Sequence, residues 1–221
     1  MLFPIVGALR GGKYNYEDQE YLLPQHGFAR DMEWSMIEQG RDTITLALED
    51  SEATRIQYPF AFRLEITYQL LENGLLVEYF LANPSSEKIL HASLGAHPAF
   101  HLEGDIAEYS LYFPGEDTIV ATYLDHGLLS EKQESFLLHD GTLLLSEPLF
   151  SHDALIFQTL DTTRVELYRG AERVLTLDRE NFPLLAIWKQ PNAPFLCIEP
   201  WAGHADPIGE NTLSLIEKPA M

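Results

Sequence analysis

The sequence predicts an all-β protein built as a large antiparallel β-sandwich, and three observations support this fold class. Short apolar or alternating runs recur along the 221 residues. Stretches rich in Gly, Pro, Asp and Asn separate these runs at nearly regular spacing. No long amphipathic period that would supply crossover helices occurs between them. Many short strands joined by turns are typical of antiparallel sandwiches and barrels.

The clearest predicted element is a hairpin. Residues 62–70 alternate between apolar and polar side chains, residues 75–81 form a second run, and Asn73-Gly74 lies between the two. An Asn-Gly pair is a strong hairpin signal because both central positions of a type I′ turn have positive φ. We therefore predict a hairpin with a type I′ turn at Asn73-Gly74.

The other predicted strands are shorter and follow the same pattern. They cover residues 43–48, 89–96, 110–113, 118–123, 154–159, 165–168, 174–177, 184–188 and 195–198. No repeat of fixed length, low-complexity tract or Pro/Ser linker divides the chain. We therefore expect a single domain over residues 1–221.

The charge of the chain argues against several classes of partner. Thirty-four acidic residues against 14 basic ones give a formal net charge of −20. Such a charge repels phosphate backbones and anionic lipid surfaces. We predict no nucleic-acid partner and no membrane partner, and a neutral small molecule fits this charge better than a strongly anionic one.

Cysteine use and the first residues indicate a cytoplasmic protein. Cys197 is the single cysteine, so the chain cannot form an intrachain disulfide, a zinc site built on cysteines or a redox pair. We interpret Cys197 as a core residue. Residues 1–9 are largely apolar, but Arg10 follows them, which is the reverse of a secretory signal. No apolar run approaches the roughly 20 residues that span a bilayer.

Glu199 is the first candidate for acid–base chemistry. It follows a short apolar run and is followed by Pro200 and Trp201. Burial beside apolar groups raises the pKa of a carboxyl group, and an indole face can stack on the C–H face of a pyranose. We expect Glu199 to act as a base and Trp201 to bind substrate. The alternative is an ordinary surface carboxylate.

His97 is the second candidate for proton transfer. It lies within residues 94–100, between glycine and proline. An imidazole with an unperturbed pKa near ~6.5 gives and takes protons at neutral pH. The alternative is a hydrogen-bonded, inert histidine at the end of a strand. If His97 and Glu199 act together on a sugar, the two groups need room between them for one edge of a pyranose.

His97 and His101 also raise the question of a metal site. A helix would align both imidazoles on one face, but Pro98 and the flanking runs argue against a helix here. On a strand, residues i and i+4 lie about 13 Å apart, too far to share one ion. We therefore predict no metal and no cofactor.

Three further residues could hold a sugar. His26 and Arg30 lie four residues apart around Gly27, and both side chains can hydrogen bond to hydroxyl groups. The alternative for Arg30 is a salt bridge within its loop, to Asp31 or Glu33. Asp153 precedes an apolar run and could accept a hydroxyl hydrogen bond, or it could be a simple turn residue.

Several segments together resemble the aldose 1-epimerase (galactose mutarotase) superfamily, in particular its lactose-operon-type branch. They occur in the order typical of that family and span nearly the whole chain. These segments are residues 3–7, 25–31, 95–100, 153–157 and 197–201. The resemblance implies the antiparallel supersandwich fold of galactose mutarotase, with a sugar on its concave face.

The resemblance also implies roles for individual residues. His97 matches the general acid of the family, and Glu199 matches the general base. His26 matches a second substrate histidine near the ring oxygen, and Asp153 matches an aspartate that binds a sugar hydroxyl. A sugar-contacting arginine of the family lies near the first segment, and Arg10 is the residue here that could take its place.

The function implied is interconversion of the α and β anomers of a neutral hexose, which requires no cofactor. An alternative is a non-catalytic carbohydrate-binding or sugar-sensing protein on the same fold. Glycoside hydrolysis fits less well because it normally needs two carboxylates. Members of this branch usually have strands before the segment 3–7, so we expect some amino-terminal strands to be absent. An exposed first strand invites pairing, so we expect either a homodimer or a buried first strand.

Overall fold

The computed structural model describes residues 1–209, which form one short helix and 17 strands. The helix is α1 (Glu52–Gln57), and 3₁₀ turns occupy Arg10–Gly12, Ala29–Asp31, Ile106–Glu108 and Glu147–Phe150. The strands are β1 (Lys13–Tyr16), β2 (Gln19–Leu22), β3 (Ser35–Gln39), β4 (Thr43–Glu49), β5 (Arg63–Leu71), β6 (Gly74–Ala82), β7 (Leu94–Gly95), β8 (Ala99–His101), β9 (Tyr109–Tyr112), β10 (Thr118–Asp125), β11 (Leu128–Leu137), β12 (Thr142–Leu144), β13 (Leu155–Phe157), β14 (Arg164–Arg169), β15 (Glu172–Asp178), β16 (Leu184–Trp188) and β17 (Phe195–Ala202).

The strands pair into four antiparallel sheets. The largest has seven strands in the order β11-β10-β13-β16-β17-β7, and β8 also pairs with β17. Two sheets have four strands, in the orders β12-β9-β14-β15 and β3-β4-β5-β6, and β1 pairs with β2. The predicted antiparallel all-β fold is therefore confirmed. Among residues 1–209, no helix is long and apolar enough to span a membrane.

The seven-stranded sheet packs through one face against the sheet β12-β9-β14-β15. Leu185 and Ile187 of β16 point into this core and meet residues such as Leu111 and Leu167. Ala186 lies between them in sequence and belongs to a separate cluster on the opposite face. Strand side chains alternate between faces, so a central strand covered on both sides reads as a continuous apolar run. Residues 184–188 show such a run, and their predicted strand has the observed bounds.

Residues 2–7 lie inside the protein. Leu2 forms an isolated antiparallel bridge with Gly95, and Phe3 forms a parallel bridge with Gly27. Phe3 is fully buried in a second core, where its ring contacts Tyr58 and Phe62. The expectation of a buried first segment is met, although this segment forms bridges instead of a regular strand.

The predicted hairpin is confirmed as β5–β6, but its turn differs from the prediction. Strand pairing continues to the pair Leu71–Gly74, so Glu72 and Asn73 are the central residues of the turn. Neither of these residues nor Gly74 has positive φ, so the type I′ prediction was wrong. Gly74 belongs to the ladder, and for this reason it needs no special conformation.

The predicted strand over residues 89–96 was mostly wrong, since only Leu94 and Gly95 are in a strand. Other residues of this segment form hydrogen bonds with distant parts of the chain. The Ser93 amide donates to the Pro4 carbonyl, and the Tyr58 hydroxyl donates to the His91 carbonyl. Strands β1, β2, β3, β8, β11 and β12 were not predicted. The edge strand β11 is mostly polar and solvent-facing, so it lacks the alternation that marks a half-buried strand.

Candidate functional site

His97 lies in the gap between β7 and β8, directly opposite Glu199 on β17. The same antiparallel register holds on both sides of this position. The flanking Cα pairs are Trp201–Gly95 and Cys197–Ala99. His97 and Glu199 are therefore cross-strand neighbours, and residues in such pairs project their side chains to the same face of a sheet.

Two prolines shape the backbone around this pair. The Ala96 amide donates to the Pro200 carbonyl at 3.0 Å, and the Ile198 amide donates to the Pro98 carbonyl at 3.4 Å. Proline has no N–H, so each of these flanking pairs has one hydrogen bond where a regular antiparallel pair would have two. The interruption of the ladder at this point follows from the sequence motifs His-Pro and Glu-Pro.

The two side chains are in direct contact. Nδ1 of His97 lies 3.2 Å from Oε1 of Glu199, and the side chains are 32% and 2% exposed, respectively. This distance is a hydrogen-bond length, so the structure leaves no gap for a pyranose edge between the two groups. The more exposed His97 ring is the member of the pair that solvent reaches.

Burial dominates the electrostatics of Glu199 and raises its pKa to about 8. The hydrogen bond from the Trp201 indole acts in the opposite direction and lowers this pKa, while the negative charge of Asp153 raises it. A buried carboxyl with a raised pKa holds its proton at neutral pH, as expected when water is removed from the charged form.

Burial lowers the pKa of His97 below its usual value, and the positive charge of Arg30 lowers it further. With the pKa of Glu199 raised and that of His97 lowered, the favoured state at neutral pH has one proton on the pair. A pair of groups that share one proton can give a proton at one atom and take a proton at another.

Trp201 is not available as a stacking surface. The indole is 4% exposed and packs in a cluster with Leu2, Val6 and Ala154. Its Nε1–H donates to Oε2 of Glu199 at 3.2 Å. The predicted substrate contact by Trp201 is therefore replaced by a role in holding the carboxyl group.

Trp188 lies beside the His97–Glu199 pair and was not predicted from the sequence. It lies at the end of β16, opposite Cys197, and it is only half-buried. Its ring lies 6.0 Å from that of His97 in an edge-on arrangement and 5.9 Å from that of Phe195. An aromatic residue at the end of a predicted strand was the available signal.

His26 lies beside this pair, with its ring 6.0 Å from that of His97 and 6.4 Å from that of Trp201. The Gly7 amide donates to Nδ1 of His26 at 3.1 Å, so Nε2 carries the proton of the neutral ring. Burial lowers the pKa of His26 to about 4, and the charges of His97 and Arg30 act in the same direction. His26 is therefore a neutral donor at physiological pH.

Arg30 forms the loop salt bridge that was one of its two interpretations, and a sugar contact by Arg30 stays a prediction. Its guanidinium lies 3.6 Å from the Asp31 carboxylate and donates to the Gln25 carbonyl at 3.2 Å. Its charge also lowers the pKa values of His26 and His97. The loop salt bridge is present, and the charge acts on the site.

Asp153 has φ +72°, which fits the turn interpretation, and it is exposed. The negative charge of Asp153 raises the pKa of Glu199, so the Asp153 carboxylate lies near the site. Arg10 is held by the last described residues of the chain. Its guanidinium donates to the Pro207 carbonyl, and its amide donates to the Asp206 carboxylate at 2.9 Å. A sugar contact by Arg10 stays a prediction.

Comparison with known proteins agrees with this architecture. The sequence profile of the family described as aldose 1-epimerase matches residues 3–210. The plasmid and chromosomal forms of protein LacX from Lactococcus lactis subsp. lactis are each 32% identical over 233 aligned positions, which cover 99% of this chain and 78% of the relative.

Solved structures show the same fold. A galactose mutarotase related enzyme from Lactobacillus acidophilus has a TM-score of 0.90 and 31% identity, covering 99% of this chain and 75% of the other. A galactose mutarotase-like protein from Lactobacillus casei ATCC 334 has a TM-score of 0.86 and 27% identity, with coverage of 98% and 76%. Together with the profile match over nearly the whole chain, these similarities show that the chain belongs to the aldose 1-epimerase family.

Proposed function

We propose that this protein is an aldose 1-epimerase that interconverts the α and β anomers of a neutral hexose, with His97 and Glu199 as its proton-transfer groups. The contact between these two side chains carries the proposal. It joins a buried carboxyl group of raised pKa to a partly exposed imidazole of lowered pKa. Acid–base chemistry on a hemiacetal needs one group that gives a proton and one that takes it.

Ring opening moves two protons and breaks one bond. The reaction starts from the form of the one-proton pair in which the shared proton has moved from Glu199 to His97. Glu199 then removes the proton of the anomeric hydroxyl while His97 delivers its proton to the ring oxygen, and the bond between C1 and the ring oxygen breaks to leave the free aldehyde. Rotation about C1–C2 and closure with the two roles reversed yields the other anomer. Each acid–base group typically contributes ~10²–10⁴-fold to the rate.

The sugar enters from the side on which His97 is exposed and displaces the direct contact between His97 and Glu199. We assign the surrounding donors and acceptors to the remaining sugar atoms. His26 supplies a neutral Nε2–H donor, which lies 3.4 Å from the Gln25 side-chain nitrogen, and the exposed Asp153 supplies an acceptor for a hydroxyl group. The half-buried Trp188 replaces Trp201 as the candidate surface for the C–H face of the ring.

The negative charge of the protein indicates the charge of the substrate. The net charge of −20 and the nearby Asp153 favour an unphosphorylated sugar over a sugar phosphate. The single domain, the homodimer and the cytoplasmic location that the sequence indicates stay predictions.

Polarimetry on freshly dissolved α-glucose and α-galactose tests the proposal. The wild-type chain should accelerate the approach to anomeric equilibrium, and Glu199→Gln should reduce this acceleration by at least ~10²-fold. Glu166→Gln is the matched control, because Glu166 is also a buried carboxyl group but lies on β14 in another sheet. Hexose binding without acceleration by the wild-type chain would favour a non-catalytic sugar-binding protein.

A further inference from the structure

A second chemistry is built into the strand that carries Glu199. Cys197 lies two residues before Glu199, so both side chains project to the same face of β17. Since Cys197 is paired with Ala99 and His97 is opposite Glu199, the Cys197 side chain lies diagonally across from His97. The ligand atoms of His97, Cys197 and Glu199 all lie within 4.8 Å of one another.

The ligand types define which ion this cluster would accept. An imidazole nitrogen, a sulfur and a carboxylate oxygen form a ligand set typical of Zn²⁺ and other thiophilic divalent ions, whereas Mg²⁺ and Ca²⁺ prefer oxygen ligands alone. Three protein ligands with a fourth position open to water or substrate are the arrangement of catalytic zinc sites. The partial exposure of His97 supplies the route by which an ion and its fourth ligand would enter.

The distances are close to those that a tetrahedral ion requires. Zinc bonds of roughly 2.0–2.3 Å place neighbouring ligand atoms roughly 3.3–3.6 Å apart. Nδ1 of His97 and Oε1 of Glu199 are already 3.2 Å apart. The widest separation in the cluster is below 4.8 Å, so small side-chain rotations would bring the sulfur into range.

Metal binding releases the protons of the Cys197 thiol and the Glu199 carboxyl group to solvent, and burial opposes this release because it raises their pKa values to about 12 and about 8, respectively. Two charges act on the cluster in opposite directions. Asp153 adds negative charge beside Glu199, which favours a cation. Arg30 adds positive charge near His97, which opposes one. The net charge of −20 raises the local concentration of divalent cations around the whole molecule.

We propose that His97, Cys197 and Glu199 form a binding site for Zn²⁺ or a similar thiophilic divalent ion. An ion at this site occupies both proton-transfer groups, so it inhibits the epimerase reaction; this consequence, unlike the binding itself, rests on the function proposed above. This proposal departs from the prediction of no metal, because the three ligands come from two segments about 100 residues apart that only the fold brings together.

Titration of the purified, reduced chain with Co²⁺ in the absence of sugar tests the site directly. Cys197 is the single cysteine, so a thiolate-to-cobalt charge-transfer band can come from this residue alone. The band should saturate at one ion per chain and disappear when Zn²⁺ displaces Co²⁺. It should be absent in Cys197→Ser. Absence of the band in the wild-type chain at millimolar Co²⁺ would overturn the proposal.

Calorimetric Zn²⁺ titrations of variants supply the second measurement. Loss of an outer-shell partner alone costs about 10–100-fold in metal affinity, so His97→Ala should weaken binding at least ~10-fold. His97 is partly exposed, so this variant keeps the test valid if Cys197→Ser does not fold. His101→Ala, an exposed histidine on the neighbouring β8, should leave the affinity unchanged. Equal affinities for wild type and His97→Ala would refute the site, and neither titration depends on epimerase activity.

Discussion

Trp201 donates its indole N–H to one carboxyl oxygen of Glu199, Oε2, and leaves the other, Oε1, facing His97. The donor and the acceptor are two residues apart on β17, so both belong to the same rigid central strand. The indole itself is buried among apolar side chains. This hydrogen bond sets the orientation of the carboxyl group and partly offsets the effect of burial on its pKa.

Trp201→Phe tests this role. The indole hydrogen bond lowers the pKa of Glu199, so its loss should raise that pKa. Hydrogen bonds to charged groups are worth about 1.5–3 kcal/mol, which corresponds to a shift of about one pKa unit or more. The alkaline limb of the pH profile of kcat/KM should therefore move to higher pH by about one unit or more. Trp34→Phe is the matched control, because it also removes an indole hydrogen bond, in this case to the Ala29 carbonyl. A limb that stays in place in Trp201→Phe would refute the role.

The pH profile of the wild-type protein follows from the protonation of the pair. As the pH rises through the pKa of Glu199, about 8, the pair loses its one shared proton and kcat/KM should fall. As the pH falls below the lowered pKa of His97, the pair gains a second proton and kcat/KM should fall again. Polarimetric rates, corrected for the spontaneous reaction at each pH, should therefore give a bell. Enzymatic rates that keep rising beyond pH 9 would contradict this assignment.

Glu199→Gln should stabilise the protein at alkaline pH. The folded-state pKa of Glu199 lies above its unfolded value, so wild-type stability declines as the pH rises from the unfolded value of 4.5 to about 8. Each pKa unit corresponds to about 1.4 kcal/mol, so the variant should gain a few kcal/mol relative to wild type at pH 9. Urea denaturation at pH 5, 7 and 9 measures the difference. A gain in stability that does not increase with pH would show that ionisation of Glu199 does not destabilise the folded wild-type protein.

His26→Asn should weaken substrate binding more than it slows the chemical step. His26 has φ +67°, a conformation that asparagine tolerates, so the backbone should be retained. The variant loses the Nε2–H donor, and KM should rise while kcat changes less. His126→Asn is the matched control, because His126 also has positive φ but is exposed in the turn between β10 and β11. A large fall in kcat with unchanged KM would assign His26 to the chemical step.

Much of the fold could be read from the sequence, because local patterns specify it. Strand β16 shows its full apolar run, and β5 and β6 show their alternation, so their existence and type were predictable. The turn between β5 and β6 was mispredicted because its position depends on how far strand pairing continues. The edge strand β11 is mostly polar and has no apolar pattern, and it forms because it pairs with β10.

Local sequence is enough to single out His97 and Glu199, the two groups proposed for proton transfer, because His-Pro and Glu-Pro stand at the ends of short apolar runs. The flanking prolines interrupt the ladder where these segments pair. The surroundings of these two groups depend on the tertiary structure. The register between segments about 100 residues apart places Cys197 diagonally from His97. Packing against Leu2 and Val6 buries Trp201 and converts it from an expected stacking surface into a hydrogen-bond donor. Such contacts depend on long-range pairing and burial, which no local pattern of residues encodes.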